Sequence, residues 1–322
     1  MKAKDLRIVF MGTPDFAVES LKLLVENGYN IVGIVTAPDK PAGRGKKLAE
    51  SAVKKYAVKQ NLKILQPEKF KNTAFLKDLR KLNADLQVVV AFRMLPEVVW
   101  DMPCLGTFNL HGSLLPKYRG AAPLNWAIIN GESKTGVTTF LLDHKIDTGK
   151  ILFKKEIKIG NNETVGDIHD RLMLIGAELV LKTVDALAKG DVKPIPQMKL
   201  VRGEVTHAPK IFKEDCKIDW VKDMETIRNL VRGLSPFPAA WANLVHNETG
   251  RTIQCKLFFV QKVISEETAA PGTIDSDDQT YLNVACGDGW LEITDLQLSG
   301  KKRMKADDFL RGFRGIDEYR FE

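Results

Sequence analysis

LRIVFMGTPDFAVESLKLLVENG, residues 6–28, decides the fold. It opens with a short apolar run, turns at Gly12, and continues with apolar residues at helical spacing after Pro14, a residue suited to a first helical turn. Thr13 is expected to cap that helix. The alternation then repeats. IVGIVT (31–36), a helix near 50–60, LKIL (62–65), a helix near 72–82, LQVVVAF (86–92), a further short helix and TFNLH (107–111) follow in turn. Strands this apolar, separated by helices, predict a parallel sheet covered on both faces. The fold class is therefore α/β, a doubly wound, mostly parallel, Rossmann-like sheet. MGTPDF stands where a dinucleotide-binding turn would carry GxGxxG, which argues against a dinucleotide.

Downstream, GVTTFLLDHKIDTGKILFKKEIKI (136–159) reads as two strands joined around the turn formers Asp147, Thr148 and Gly149. Thr164 and Asp167 have capping-box spacing, and Val165, Ile168, Leu172, Ile175 and Leu179 predict a long amphipathic helix to about residue 188. KGDVKPIPQ (189–197), with its Gly and two prolines, reads as a connection. A helix over about 223–233 then gives way at SPFPAAW to CKLFFV, YLNVA and WLEITDLQL, short strand-like runs that predict a small β-barrel. The expected organisation is a catalytic domain over 1–189, a linker over 190–207 and a carboxyl-terminal domain over 208–322.

The 322 residues suffice for two cores, and the hydrophobic content of 44% is that of a globular protein. No apolar run approaches the roughly 20 residues of a membrane span, and MKAKDLRIVFMG lacks a signal-peptide core, so a cytoplasmic location without membrane attachment is expected. Cys104, Cys216, Cys255 and Cys286 are scattered without a CxxC pair, which suggests neither a disulfide framework nor a metal site. The net charge of +7 is uneven. Residues 1–200 carry 31 Lys/Arg against 21 Asp/Glu, and residues 201–322 carry 17 against 20. A basic excess of this kind favours a polyanionic partner, though many basic proteins bind no nucleic acid.

The chemistry concentrates in NLHGSLLPKYRGAAPLNW, residues 109–126. Asn109 and His111 close an apolar strand, where alternate residues share a face, and in doubly wound sheets ligands gather at such strand ends. An Asn amide can donate to a carbonyl oxygen that becomes negative as its carbon turns tetrahedral, and a His can carry a proton. Together they suit acyl transfer. Asp147 in IDTG is the candidate third group, brought near by the hairpin. His144, His169, His207 and His246 lack such company and are expected to be solvated or structural.

The segment NLHGSLLPKYRGAAPLNWAIINGESKTGVT, with IDTGKIL downstream, resembles the folate-dependent formyltransferase family. The resemblance implies a Rossmann-like catalytic domain, an OB-like carboxyl-terminal barrel, and 10-formyltetrahydrofolate as formyl donor without a metal. It implies that Asn109 and a protonated His111 hold the developing oxyanion, that Asp147 supports the His and aids proton removal, and that Ser113, Leu114, Leu115 and Pro116 form the folate-binding loop. AFRMLP (91–96) departs from the family's common AYGxxLP, with Arg in place of Gly.

LRIVFMGTPDFAV, APDKPAGRGKKL (37–48), IDW and LVRGLSPFPAAW resemble the branch whose acceptor is the α-amine of methionyl-initiator-tRNA. That branch implies that Lys40, Arg44, Lys46 and Lys47 approach the acceptor end of the tRNA, with Arg44 at the weak terminal pair. Lys301, Lys302 and Arg303 form a second basic cluster available to phosphates. A monomer is expected. The alternatives are a formyltransferase acting on an amino sugar nucleotide or other small amine, and a formyl-folate hydrolase. If the basic excess attracts RNA, raising salt should increase the KM for tRNA more than that for folate, and equal sensitivity in steady-state assays would refute the attraction.

Overall fold

The computed structural model describes residues 2–42, 47–201 and 203–322. Arg44 and Lys46 lie outside the described residues. The chain divides into two compact units, the first comprising Met1–Gly120, Thr135–Ile157 and His169–Ala208, the second Ala121–Lys134, Lys158–Ile168 and Pro209–Glu322.

The first unit is built on a seven-stranded sheet of β1 (Ile8–Gly12), β2 (Ile31–Val35), β3 (Ile64–Leu65), β4 (Leu86–Val90), β5 (Thr107–His111), β6 (Lys134–Leu141) and β7 (Ile151–Lys158). Its spatial order is β7-β6-β5-β4-β1-β2-β3. β1 to β5 are mutually parallel where they pair, and β6 runs antiparallel to β5. Every residue of β1 and β4 is buried, as a sheet covered on both faces requires. The winding reverses between β1 and β4, and β5 lies next to that switch point, where ligand sites of doubly wound sheets form.

The helices between these strands are α1 (Asp15–Glu26), α2 (Ala52–Lys59), α3 (Thr73–Lys81) and α4 (Glu97–Trp100). Ser51 caps α2 by accepting from the Lys54 amide at 3.0 Å, and Asn72 caps α3 by accepting from the Ala74 and Phe75 amides. Thr13 does not cap α1. Pro14 takes the cap position without a side-chain bond, and the Thr13 carbonyl instead accepts from the Val53 amide at 3.4 Å, tying the first turn to α2. The expected capping box is present at helix Val165–Lys189, where the Thr164 amide donates to the Asp167 carboxylate and the Asp167 amide donates to the Thr164 hydroxyl.

The hairpin β6–β7 depends on two glycines. A Cβ at Gly149 would overlap the Leu141 carbonyl, and one at Gly136 would overlap the Lys155 carbonyl. Residues 190–207 are not an open linker. Ile195 bridges to Ile151 through both backbone bonds, the Tyr118 amide donates to the Thr206 carbonyl at 2.7 Å, and His207–Ala208 pair in parallel with Arg119–Gly120. The segment folds down because its polar backbone finds partners along the first unit.

The second unit also departs from a linear cut, because 121–134 and 158–168 group with it. Helix Pro123–Ile129 packs on helix Met224–Leu234, with the Asn125 amide donating to the Gly233 carbonyl at 2.8 Å, and Arg232 donates to the Gly160 and Glu163 carbonyls. Strands β8 (Ala240–His246), β9 (Thr252–Val263), β10 (Ile274–Ser276), β11 (Leu282–Cys286), β12 (Gly289–Leu298) and β13 (Tyr319–Phe321) take the order β10-β11-β12-β9-β8-β13. A bridge from Thr273 to Arg320 joins the two edges into a nearly closed antiparallel barrel. Leu257, Leu291, Ile293, Phe309 and Trp220 belong to its core. Burial pushes the Cys255 thiol up to about 12, so this cysteine is inert packing.

One buried side chain links sheet and loop. The Thr138 hydroxyl on β6 donates to the Ser113 carbonyl at 2.6 Å and accepts from the Leu115 amide at 3.2 Å. Thr138→Val should therefore leave two buried backbone groups unpaired and cost about 1–3 kcal/mol of stability, read from urea denaturation midpoints. An unchanged midpoint would refute the role.

Candidate active site

Asn109 and His111 leave β5 on one face, and the register sets Asn109 opposite Phe140 and His111 opposite Thr138 of β6. The imidazole is almost completely buried. Its Nε2 lies 2.9 Å from the Tyr118 carbonyl, to which it donates, and its Nδ1 lies 3.8 Å from Asp147 Oδ2, the distance of an ion pair rather than a hydrogen bond. Phe140 meets the ring edge-on at 6.3 Å between centroids. Nε2 is therefore committed to the Tyr118 carbonyl, and Nδ1 faces the Asp147 carboxylate beyond hydrogen-bond distance.

Asp147 arrives from the turn of the β6–β7 hairpin. Its backbone is left-handed, with φ of 54°, and Oδ2 accepts from the Gly120 amide at 2.9 Å. Gly120 has φ of 128°, and a Cβ there would overlap the Ala208 carbonyl, so the position admits only Gly. The amide that fixes Asp147 belongs to the loop whose Tyr118 carbonyl fixes His111.

Residues 113–116 divide into two sets. Ser113 and Leu115 are fully buried: the Ser113 hydroxyl donates to the Lys117 carbonyl at 2.7 Å, and Leu115 packs with Phe140 and Ile151. Lys154 donates to the Leu115 carbonyl, and burial lowers its ammonium from the ordinary value. Leu114 and Pro116 are half-exposed. Ser113 and Leu115 hold the loop's shape, and the half-exposed pair presents apolar surface.

The departure at AFRMLP has a structural use. Arg93 donates to the carbonyls of Pro67 and Glu68, and its guanidinium lies 4.1 Å from the centroid of the Phe70 ring. Arg in place of Gly therefore braces the loop after β4 against the loop after β3.

A family described as formyl transferase matches residues 6–184, and the formyl transferase C-terminal domain matches residues 210–314. The chain belongs to the formyl transferase family. This formyl transferase is 56% identical over 321 residues to a methionyl-tRNA formyltransferase of Bacteroides thetaiotaomicron, covering 99% of each chain. It is 49% identical to the methionyl-tRNA formyltransferase of Flavobacterium johnsoniae, covering 98% of each. Among solved structures, HypX from Aquifex aeolicus in complex with tetrahydrofolic acid shares the fold at 20% identity and a TM-score of 0.64, over 95% of this chain and 47% of that one. An N-formyltransferase from Helicobacter canadensis, in complex with folinic acid and dTDP-3-aminofucose, shares it at 18% identity and the same TM-score, over 93% of this chain and all of that one.

The structure brings Asn109, His111 and Asp147 of the formyl transferase to one strand end. It leaves Lys301 and Lys302 exposed. Arg303 is already engaged, donating to both Asp295 oxygens at 2.8 and 2.6 Å with its guanidinium 4.3 Å from the Phe258 ring centroid. Burial raises the Asp295 carboxyl, and Arg303 together with Lys305 outweighs it, holding that group below its ordinary range. Lys40 is exposed on a short hairpin that pairs Lys40–Ala42 with Lys47–Ala49. Among the described residues no cluster of three or more His, Cys, Asp or Glu could hold a metal, and no helix is long and apolar enough to cross a membrane.

Sequence reasoning overlooked Thr138, Arg119 and Gln197, which build the site without a motif of their own. Arg119 Nη2 donates to Gln197 Oε1 at 2.7 Å; burial lowers its guanidinium from the ordinary value, and Asp147 opposes that lowering. Asn109→Ala and His111→Ala should each reduce kcat by about 100- to 1000-fold with the folded state intact. Near-normal turnover in either variant, alongside an unchanged far-UV circular dichroism spectrum, would remove the site.

Proposed function

We infer that this chain transfers the formyl group of 10-formyltetrahydrofolate to the α-amine of methionyl-initiator-tRNA. The observation that carries the reading is full-length identity of 56% to a methionyl-tRNA formyltransferase, in a chain where His111 faces Asp147 and Asn109 shares the strand face of His111. The amine nitrogen attacks the formyl carbon, and a tetrahedral oxyanion forms. Asn109 and the imidazolium of His111 donate to that oxygen. Nε2 is taken by the Tyr118 carbonyl, so the ring donor left for the oxyanion is Nδ1–H, on the edge that faces Asp147. Asp147 supports the cation and draws the proton from the attacking amine. Collapse breaks the bond from carbon to N10, and N10 takes up the proton as tetrahydrofolate leaves. Holding amine and formyl carbon together supplies much of the acceleration, and charge stabilisation supplies the remainder.

Leu114 and Pro116 offer the folate ring an apolar wall, and Ser113 and Leu115 hold the loop backbone that hydrogen-bonds it. Lys40, Arg44, Lys46 and Lys47 meet the acceptor end of the tRNA, and Lys301 and Lys302 meet phosphates. Arg303 contributes through its place beside Asp295. The protein works as a cytoplasmic monomer, without a metal.

Incubation with 10-formyltetrahydrofolate and charged initiator tRNA should yield formylmethionyl-tRNA, detected after hydrolysis of the ester. Tetrahydrofolate release that is independent of tRNA would make the protein a hydrolase, and formylation of an amino sugar nucleotide in preference to tRNA would assign the small-amine reading. Arg44→Ala should lower kcat/KM on initiator tRNA by about tenfold or more, the discrimination that one well-placed Arg confers. Unchanged selection of initiator over elongator tRNA would contradict the loop's role.

A further inference from the structure

The connection KGDVKPIPQ ends in a glutamine whose every hydrogen-bonding group is used inside the first unit. Gln197 is 2% exposed. Its Oε1 accepts from Arg119 Nε at 3.1 Å and Nη2 at 2.7 Å, and its Nε2 donates to the Asp147 carbonyl at 2.8 Å and the Gly149 carbonyl at 2.9 Å. An amide has two acceptor sites and two N–H groups, and all four are occupied. The partners are the turn that carries the Asp147 carboxylate and the residue preceding Gly120, whose amide binds that carboxylate.

We propose that Gln197 is a positioning residue of the formyl-transfer site, fixing the Asp147 carboxylate toward His111 by clamping the IDTG turn to Arg119. A left-handed Asp in a tight turn persists only where its surroundings over-determine it, and the Asp147 carbonyl receives that constraint from the Gln197 amide. The clamp stands at one end of a strap. Ile195 pairs with Ile151 just after the turn, and at the far end Thr206 accepts from the amide of Tyr118, whose carbonyl holds His111. Residues of this connection, all in the first unit, therefore build the reaction site, and Gln197 is where they touch the carboxylate's own turn. The four bonds call for two N–H groups and one oxygen that accepts twice within a single planar group, which a primary amide supplies. A glutamate there would keep the bonds from Arg119 and lose both donations to the turn.

The inference rests on the functional reading above for its kinetic consequence, and on the geometry alone for its structural one. Two measurements separate them. In the full chain, Gln197→Ala and Gln197→Glu should lower kcat for formyl transfer by about 10- to 100-fold, as small misplacements of reacting groups do, with the KM for 10-formyltetrahydrofolate within twofold. Independently of any activity, the pH titration of the His111 ring followed by nuclear magnetic resonance should move in both variants in the direction that Asp147→Asn moves it. Ile195→Ala, which alters an exposed strap side chain and keeps the backbone pairing, should leave the titration in place. A His111 titration unchanged in both Gln197 variants overturns the proposal, as does failure of both to fold, which would make the clamp purely structural. A shifted titration in a protein without formyl transfer would keep the clamp and overturn the reaction.

Discussion

The hydrogen bond from the Gly120 amide to the Asp147 carboxylate is the constraint on which the site depends. It joins two pieces of chain that the doubly wound sheet brings near one another but does not align: the loop following β5 and the turn between β6 and β7. Once it is made, Asp147 faces the His111 ring and the loop lies over it, so that the Tyr118 carbonyl reaches the opposite nitrogen. Both contacts require unusual backbone. Asp147 and Tyr118 adopt positive φ, and Gly120 passes close to the Ala208 carbonyl where no side chain fits. Strain of that kind is retained where neighbouring hydrogen bonds leave the backbone no alternative.

Those neighbouring bonds come from apparently ordinary residues. Thr138 spans the loop from the sheet side, Lys154 donates to the Leu115 carbonyl, and Ser113 closes the turn on Lys117. The outcome is a site whose polar groups are held before any substrate arrives. For acyl transfer that matters, because donors fixed in place pay no reorganisation as the oxyanion forms. Two residues of the SLLP loop are consumed in this scaffolding, and the other two are free to present apolar surface.

The division of the chain follows the same physics. Helix Pro123–Ile129 follows directly on the loop of the site yet packs with Met224–Leu234, because its apolar face finds cover there. The connection 190–207 lies in the opposite situation, carrying prolines that suggest open coil while its backbone and Gln197 are bonded along the first unit. The barrel closes through one bridge between Thr273 and Arg320, a pairing between residues nearly fifty positions apart that no local pattern announces.

The sequence by itself determined the elements with strong periodicity. Strands β1, β4 and β5 fall where the apolar runs stand, the capping box opens the long helix, and Asn109 and His111 share a face because strand alternation leaves no other arrangement. Thr13 does not cap α1, because Pro14 takes the cap position, and the local pattern cannot say which of two adjacent residues takes the end. What the tertiary structure alone decided is who meets whom across the chain: Asp147 with Gly120, Arg93 with the carbonyls of Pro67 and Glu68, Arg303 with Asp295, and Gln197 with Asp147. A side chain's spacing fixes its direction within its own element. Its partner is fixed only when distant backbone carbonyls and carboxylates, stripped of water by folding, must be satisfied by whatever donor the packing brings within reach.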